Sequence, residues 1–221
     1  GMNFPGVSYY DGQAFMVASD LGVQSAKELD GAAVCTQSGT TSELNLSDYF
    51  RINNMTYDAV VFDSPEQSIA GFEAGRCDVL SSDASQLYAQ RIQLADPNMA
   101  VVLPEIISKE PLGPAVRQGD DQWFNIVKWS LFAMLNAEEL GVTQANVAGL
   151  AKSTRDPQVR RLLGTEGRMG ANLGLDKGWA LRAIAAVGNY GESFERHLGL
   201  ATPLKISRGL NRLWKDGGIL Y

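Results

Sequence analysis

Between residues 13 and 110 the chain alternates short apolar runs with segments that carry helix-start signals. The runs are bounded by polar or turn residues, which is typical of strands, and they cover residues 13–17, 32–37, 59–62, 77–81 and 100–103. A strand followed by a helix, repeated, predicts an α/β fold with a parallel sheet and helices on both faces. In such sheets ligands bind at the carboxyl ends of the strands.

Three of the segments between these runs begin with capping-box spacing, a hydroxyl residue followed three positions later by Glu or Gln. In a capping box the two side chains satisfy two backbone amides that have no partner within the helix. The three segments are Ser25–Glu28, Thr40–Glu43 and Ser64–Gln67. We therefore expect helices to begin at these points.

From Pro111 onward the pattern becomes mostly helical. Apolar spacing predicts a long helix from about Asp121 to Leu140, ended by Gly141. Further helices open at Asp156 and Asp176, and Gly188 and Gly191 are expected to divide the second of these.

The composition excludes several classes of protein. The net charge of −6 over 221 residues disfavours nucleic acid or an anionic membrane as a partner, and no apolar stretch of about 18 residues predicts a transmembrane helix. The first five residues lack the basic and long apolar regions of a secretory signal, which leaves export undecided. The two cysteines and one histidine are not clustered, so no metal or cofactor is expected.

The first candidate site is the turn between residues 34 and 43, where an apolar strand runs into a small-residue turn and a helix. Gly39 lets the backbone approach a ligand, and the free amides at the start of the helix, beside Thr40 and Thr41, are suited to a carboxylate. The turn contains no lysine and no P-loop ending, which disfavours phosphate. The alternative is that Thr40 is only a helix cap.

Asp83 is the second candidate, because it follows the strand over 77–81. If that strand is the parallel neighbour of 32–37, Asp83 lies at the same sheet edge as Gly39 and is able to pair with an ammonium group. The alternative is again a helix cap, since Asp83 and Gln86 have capping-box spacing. Together the two features predict a site for a free amino acid zwitterion.

Cys35 and Cys77 fall on the same two strands. A disulfide between them requires Cα atoms within about 7 Å and would imply an oxidising compartment such as the periplasm. Two buried free thiols are the alternative.

Little in the sequence favours an enzyme. His197 is the only histidine, so a catalytic triad or a two-histidine metal site would depend on it alone. No pair of carboxylates stands out as a general acid and base. We therefore expect a protein that does not catalyse a reaction.

Longer segments resemble a known family, namely residues 9–17, 37–41, 75–79, 108–123 and the tail motif over 188–192. They are similar to the periplasmic solute-binding proteins of bacterial general L-amino-acid ABC transporters, within the type II periplasmic binding protein superfamily. The resemblance runs from Tyr9 to Tyr221. It implies a two-lobed clamp that closes on an L-amino acid in the periplasm and then docks on an inner-membrane permease.

The resemblance also implies roles for individual residues. Gly39, Thr40 and Thr41 match the turn that holds the ligand α-carboxylate, and Asp83 matches the acid that receives the α-ammonium. Gln13, at the start of the first hinge crossing, is included among the ligand-binding residues.

Three parts of the chain follow from this resemblance. Residues 1–17 would be a hinge strand and a remnant of lobe 1, residues 18–108 would form lobe 2, and residues 109–221 would be the returning part of lobe 1 with a helical C-terminal extension. Relatives begin with a block that builds most of lobe 1 and supplies a carboxylate-binding arginine, and this sequence lacks that block. An incomplete lobe is expected to expose apolar surface and to favour self-association.

Two other functions fit the same scaffold. One is an enzyme such as a cyclohexadienyl-type dehydratase, which would need a proton donor in the cleft. The other is an interaction module that has lost ligand binding and dimerises through the unfinished lobe.

Overall fold

The computed structural model describes all residues from Gly1 to Tyr221. They form two compact units: unit 1 comprises Gly1–Tyr9 and Leu112–Tyr221, and unit 2 comprises Tyr10–Pro111. The chain therefore passes between the units twice.

The regular elements are nine strands and nine α-helices, together with short 3-10 turns. The strands are β1 (Met2–Asn3), β2 (Tyr9–Asp11), β3 (Gln13–Ala18), β4 (Ala32–Gln37), β5 (Tyr57–Phe62), β6 (Val79–Asp83), β7 (Ala100–Val102), β8 (Glu110–Leu112) and β9 (Val116–Arg117). The helices are α1 (Thr41–Ile52), α2 (Pro65–Glu73), α3 (Ala84–Arg91), α4 (Asp121–Glu139), α5 (Val147–Ser153), α6 (Pro157–Leu162), α7 (Met169–Asn172), α8 (Trp179–Val187) and α9 (Tyr190–His197).

Unit 2 is built on a five-stranded sheet with the order β5-β4-β6-β3-β7. β4 pairs in parallel with β5 and β6, as the strand–helix repeat predicts, but β3 pairs antiparallel with both β6 and β7. The sheet is therefore mixed rather than wholly parallel. The reason is that β3 precedes the first strand–helix repeat, so no helical crossover fixes its direction.

β3 divides the core of unit 2 into two layers, because successive side chains of a strand point to opposite faces. Ala14 and Met16 join a cluster that contains residues of α2 and α3, whereas Phe15 and Val17 join a cluster that contains Leu46 of α1. All four of these β3 side chains are buried. The prediction of helices on both faces of the sheet is thus confirmed.

The segment 13–17, predicted at the first hinge crossing, lies inside this sheet. The passages between the units fall instead at Tyr9–Tyr10 and Pro111–Leu112, within β2 and β8, which form a two-stranded ribbon. The three-part assignment of lobes stays a prediction.

Unit 1 is mainly helical, with β1 and β9 paired antiparallel. Its core is formed around α4 by α5, α6 and α8, and includes the buried residues Ala137, Leu163, Trp179 and Ile184. The predicted long helix is α4, and Gly141 follows it with φ 68°. Gly188, with φ 80°, separates α8 from α9 as expected, whereas Gly191 lies within α9 and breaks no helix.

Arg208 binds the C-terminal tail to α4 by an ion pair and to α9 by cation–π contacts. Arg208 bonds the Glu138 carboxylate, and both side chains are largely buried. The guanidinium also lies over the rings of Tyr190 and Phe194, at 5.4 and 5.6 Å from their centroids. None of the helices is both long and apolar enough to cross a membrane.

Cys35 and Cys77 form the disulfide considered above, with 5.7 Å between their Cα atoms. The bond links the middle of β4 to the segment that leads into β6, and the sequence separation of the two cysteines is 42. Both cysteines are buried in the core layer that α2 and α3 cover.

We predict that reduction of this disulfide, or the double substitution Cys35→Ala and Cys77→Ala, lowers the free energy of unfolding of unit 2 by about 4 kcal/mol, because a loop of this length restricts the unfolded chain. Urea unfolding with and without reductant measures the loss. The double variant is the control, since reductant should not change its midpoint. Identical midpoints for the oxidised and reduced natural chain would contradict the prediction.

Candidate functional site

The candidate residues meet at one edge of the unit 2 sheet. β4 and β6 are parallel neighbours, with Cys35 opposite Leu80, so their carboxyl ends lie side by side. α1 begins just after β4, and α3 begins just after β6. A cleft of about 200 Å³ opens there, lined by Gln37, Thr40, Thr41, Ser42, Ser81, Ser82, Asp83, Gln86 and Glu110.

The start of α1 forms one side of the cleft. Thr40 is the N-cap residue, but its side chain makes no cap bond and its hydroxyl donates to the Gln37 carbonyl at 2.8 Å. The first-turn amides of α1 therefore have neither a helical partner nor a side-chain cap. The interpretation of Thr40 as a side-chain cap is wrong, and the amides are available to an anion.

Gly39 lies at the turn that leads into α1. Its φ of 67° is in the left-handed region, where glycine is favoured, and an added Cβ would meet nothing within 4 Å. Its N–H donates to the Glu43 carboxylate at 3.0 Å. The predicted capping box at Thr40–Glu43 is thus not formed: Glu43 accepts from Gly39, one residue before Thr40, and no side chain caps the first turn of α1.

Asp83 lies on the other side of the cleft and is partly buried. It is the N-cap residue of α3, yet its carboxylate makes no cap hydrogen bond. Gln86, the expected capping-box partner, accepts a bond from the Ser82 hydroxyl at 3.0 Å instead. The side-chain cap that the spacing predicts for Asp83 is therefore wrong.

The cleft is electrostatically negative around Asp83. Burial raises the pKa of Asp83 above its usual value, and the nearby carboxylates of Asp11 and Glu110 raise it further. Glu110 lines the cleft, and no lysine or arginine does. A cationic group would gain from this cluster of carboxylates, because it would offset their mutual repulsion.

Gln13 lies beneath the cleft and does not line it. Its side chain is fully buried, and its amide nitrogen donates to the Ser42 carbonyl at 2.9 Å and to the Ser81 hydroxyl at 2.8 Å. These bonds tie the first turn of α1 to β3 and β6. The amide oxygen of Gln13 is buried without a hydrogen-bond partner.

The structure thus places Thr40, Thr41 and Asp83 at the cleft, Gly39 at the turn beside it and Gln13 below it. Sequence reasoning did not identify Glu110 or the serines that also line the cleft. Glu110 lies 27 positions from Asp83 in the sequence, and no local motif connects the two residues. His197 is on α9 in unit 1.

Comparison with known proteins shows the family. The chain is 57% identical over 223 residues to the general L-amino acid-binding periplasmic protein AapJ of Rhizobium johnstonii. It is also 57% identical over 221 residues to the putative amino-acid ABC transporter-binding protein YhdW of Escherichia coli K12. Both matches cover the whole chain, which spans 65% of the length of each relative. No family model matches.

A solved structure agrees with these relatives. The ABC transporter/periplasmic binding protein from Brucella ovis, determined with glutathione bound, is 52% identical and superposes with a TM-score of 0.92. The match covers 99% of this chain and 69% of that protein. The chain therefore belongs to the family of periplasmic binding proteins of ABC transporters. The predicted family of ABC-transporter periplasmic binding proteins, the α/β fold class and the periplasmic location are confirmed.

We predict that Asp83→Asn raises the melting temperature at pH 7 by up to a few degrees. The pKa of Asp83 is raised in the folded chain, so the folded state binds more protons than the unfolded state, and stability falls as the pH rises through that window. The substitution removes this cost. The gain should disappear well below pH 3.8, the ordinary pKa of aspartate, where Asp83 is protonated in both the folded and the unfolded state.

Thermal unfolding of both chains at the two pH values measures the effect. Asp58→Asn, which removes an exposed carboxylate from β5, is the control and should leave the melting temperature unchanged. A lower melting temperature for Asp83→Asn at pH 7 would contradict the prediction.

Proposed function

We propose that the chain captures free L-amino acids for an ABC transporter and does not catalyse a reaction on them. The observation that carries the proposal is the presence of two complementary, uncapped groups at one cleft. These are the free first-turn amides of α1 and the carboxylate of Asp83. The first suits an α-carboxylate, and the second suits an α-ammonium.

Gly39, Thr40 and Thr41 hold the α-carboxylate in this proposal. The Gly39 N–H is already bonded to the Glu43 carboxylate, so glycine shapes the turn, with φ 67°, and the uncapped first-turn amides of α1 are the donors left for the ligand. Because no lysine or arginine lines the cleft, these backbone amides and threonine hydroxyls are what unit 2 offers to the anion.

Asp83 receives the α-ammonium, and Glu110 adds negative charge on the same cleft. Gln13 acts from below by fixing the first turn of α1 to the sheet. Asp83 and the amides of α1 would contact the part that every amino acid shares, and the broad choice of side chain in this proposal rests on the likeness to a relative named a general L-amino acid-binding protein.

The partners follow from the relatives. A protein of this family would deliver its amino acid to a membrane permease, and the relatives' names include a general L-amino acid-binding protein and an ABC transporter-binding protein. Unit 2 would correspond to lobe 2, expected over 18–108, and unit 1 would contain the lobe 1 residues of this chain.

Absence of catalysis is the part of the proposal that relatives support by name, since they are described as binding proteins. The cleft contains carboxylates and hydroxyls but no histidine or lysine. A dehydratase on the same scaffold would need Asp83 or Glu110 as its proton donor, and in this proposal Asp83 receives the ammonium.

We predict that Asp83→Ala lowers the affinity for L-glutamine about a hundredfold, because it removes a charged hydrogen-bonding partner of the ammonium. Isothermal titration calorimetry of this chain measures the change. Asp58→Ala removes an exposed carboxylate of unit 2 and so changes the net charge equally. It should bind as the natural chain does. Unchanged affinity in Asp83→Ala would refute the assignment of Asp83.

Self-association is a further part of the proposal. Large apolar side chains of unit 1 are exposed, including Met2 (69%), Phe4 (65%) and Trp123 (51%), and exposed apolar surface favours association. We predict that the mass measured by light scattering rises from 23.9 kDa toward twice that value as the concentration increases. A constant mass would exclude self-association over the range measured.

A further inference from the structure

The side chain at the N-cap position of α3 does not cap the helix. Aspartate at an N-cap position normally accepts a hydrogen bond from an amide of the first turn, and Asp83 occupies that position without doing so. The amides at the start of α3 must therefore be satisfied by other groups, because unpaired buried amides are costly.

The cap is supplied from another part of the chain. The Ala84 N–H donates to the Gly12 carbonyl at 2.8 Å. The Ser85 N–H donates to the Asp11 carboxylate, at 3.3 and 3.4 Å from its two oxygens, and the Ser85 hydroxyl donates to the same carboxylate at 2.5 Å. Residues 11 and 12 thus take the place of a local cap.

The sheet register explains how Asp11 reaches α3. β3 runs antiparallel to β6 with Gln13 opposite Asp83, so the residues before β3 lie beside those after β6. Gly12 fits closely, since an added Cβ would lie 2.5 Å from the Ser108 carbonyl oxygen. The Gly12 N–H also donates to Asp11 Oδ1 at 2.9 Å. The position of the Asp11 carboxylate is therefore fixed by the backbone around it.

We infer that Asp11 is a positioning residue for the ligand site: it caps α3 in place of Asp83 and so leaves the Asp83 carboxylate free for the ligand ammonium. The inference rests on the proposed function. Without Asp11 the Ser85 amide would lack a partner, and Asp83 is the N-cap residue whose side chain would then turn toward it. Capping the helix and binding the ammonium would compete for one carboxylate.

The test is a double-mutant cycle between Asp11 and Asp83, with L-glutamine as the probe and calorimetry as the measurement. Asp11→Ala should weaken binding about tenfold in the natural background. In the Asp83→Ala background it should cause no further loss, because the residue through which it acts is gone. Binding of glutaramate, which is glutamine without its ammonium, should change less than about twofold in Asp11→Ala.

Two milder variants distinguish the capping of α3 by Asp11 from the effect of its negative charge. Asp11→Asn keeps an oxygen that accepts from the Ser85 amide, so it should restore affinity to within about threefold of the natural chain. Ser85→Ala removes the 2.5 Å hydrogen bond from the Ser85 hydroxyl to Asp11. Alanine is a good helix former, so the substitution should leave α3 folded. It should weaken binding about threefold, with no effect in the Asp83→Ala background. This milder variant keeps the test decisive if Asp11→Ala does not fold.

The outcomes distinguish the two proposals. Unchanged affinity in Asp83→Ala removes the proposed ligand site itself. A loss in Asp83→Ala with natural affinity in Asp11→Ala and Ser85→Ala overturns only the positioning role. Equal losses from Asp11→Ala in both Asp83 backgrounds also overturn it, since they show that Asp11 acts without Asp83.

Discussion

The antiparallel insertion of β3 between β6 and β7 is the constraint on which unit 2 depends. It buries a strand whose alternate side chains enter both core layers, so neither layer forms without it. The same register sets Gln13 opposite Asp83. The parallel pairing of β4 with β6 brings the two helix starts to one edge of the sheet, and the Gln13 amide bonds both Ser42 and Ser81 there. Packing of the core and geometry of the cleft therefore both depend on β3.

Much of this fold is visible in the sequence because its signals are local. The run 32–37 is a strand over the predicted bounds, and the strands expected at 59–62 and 77–81 shift by two residues at most. Ser64 accepts the predicted bond from the Gln67 amide, at 3.3 Å. The direction of β3 was not predictable in this way, because it depends on pairing with strands more than 60 residues away.

In the candidate site, too, local features were predicted from the sequence and contacts between distant residues were not. Thr40 and Asp83 are found at strand ends by pattern alone, but their capping-box spacing predicts bonds that the structure does not contain. Capping-box spacing shows that a side chain is close enough to cap the first turn. It does not show whether a more distant residue accepts the hydrogen bond instead. At α3 the acceptor is Asp11, which is 74 positions from Ser85. A choice between a near and a distant partner is decided by tertiary packing.

The disulfide has a consequence for how unit 2 finds its register. α1, β5 and α2 all lie inside the covalent ring that Cys35 and Cys77 close, and β4 and β6 flank the bond itself. In the oxidised chain these two neighbouring strands are joined through a few covalent bonds, although 42 positions separate the cysteines in sequence. In the oxidised chain the disulfide therefore removes much of the loop-closure entropy that pairing of β4 with β6 would otherwise cost. Because the two strands are then close along the covalent path, their pairing is expected to be fast.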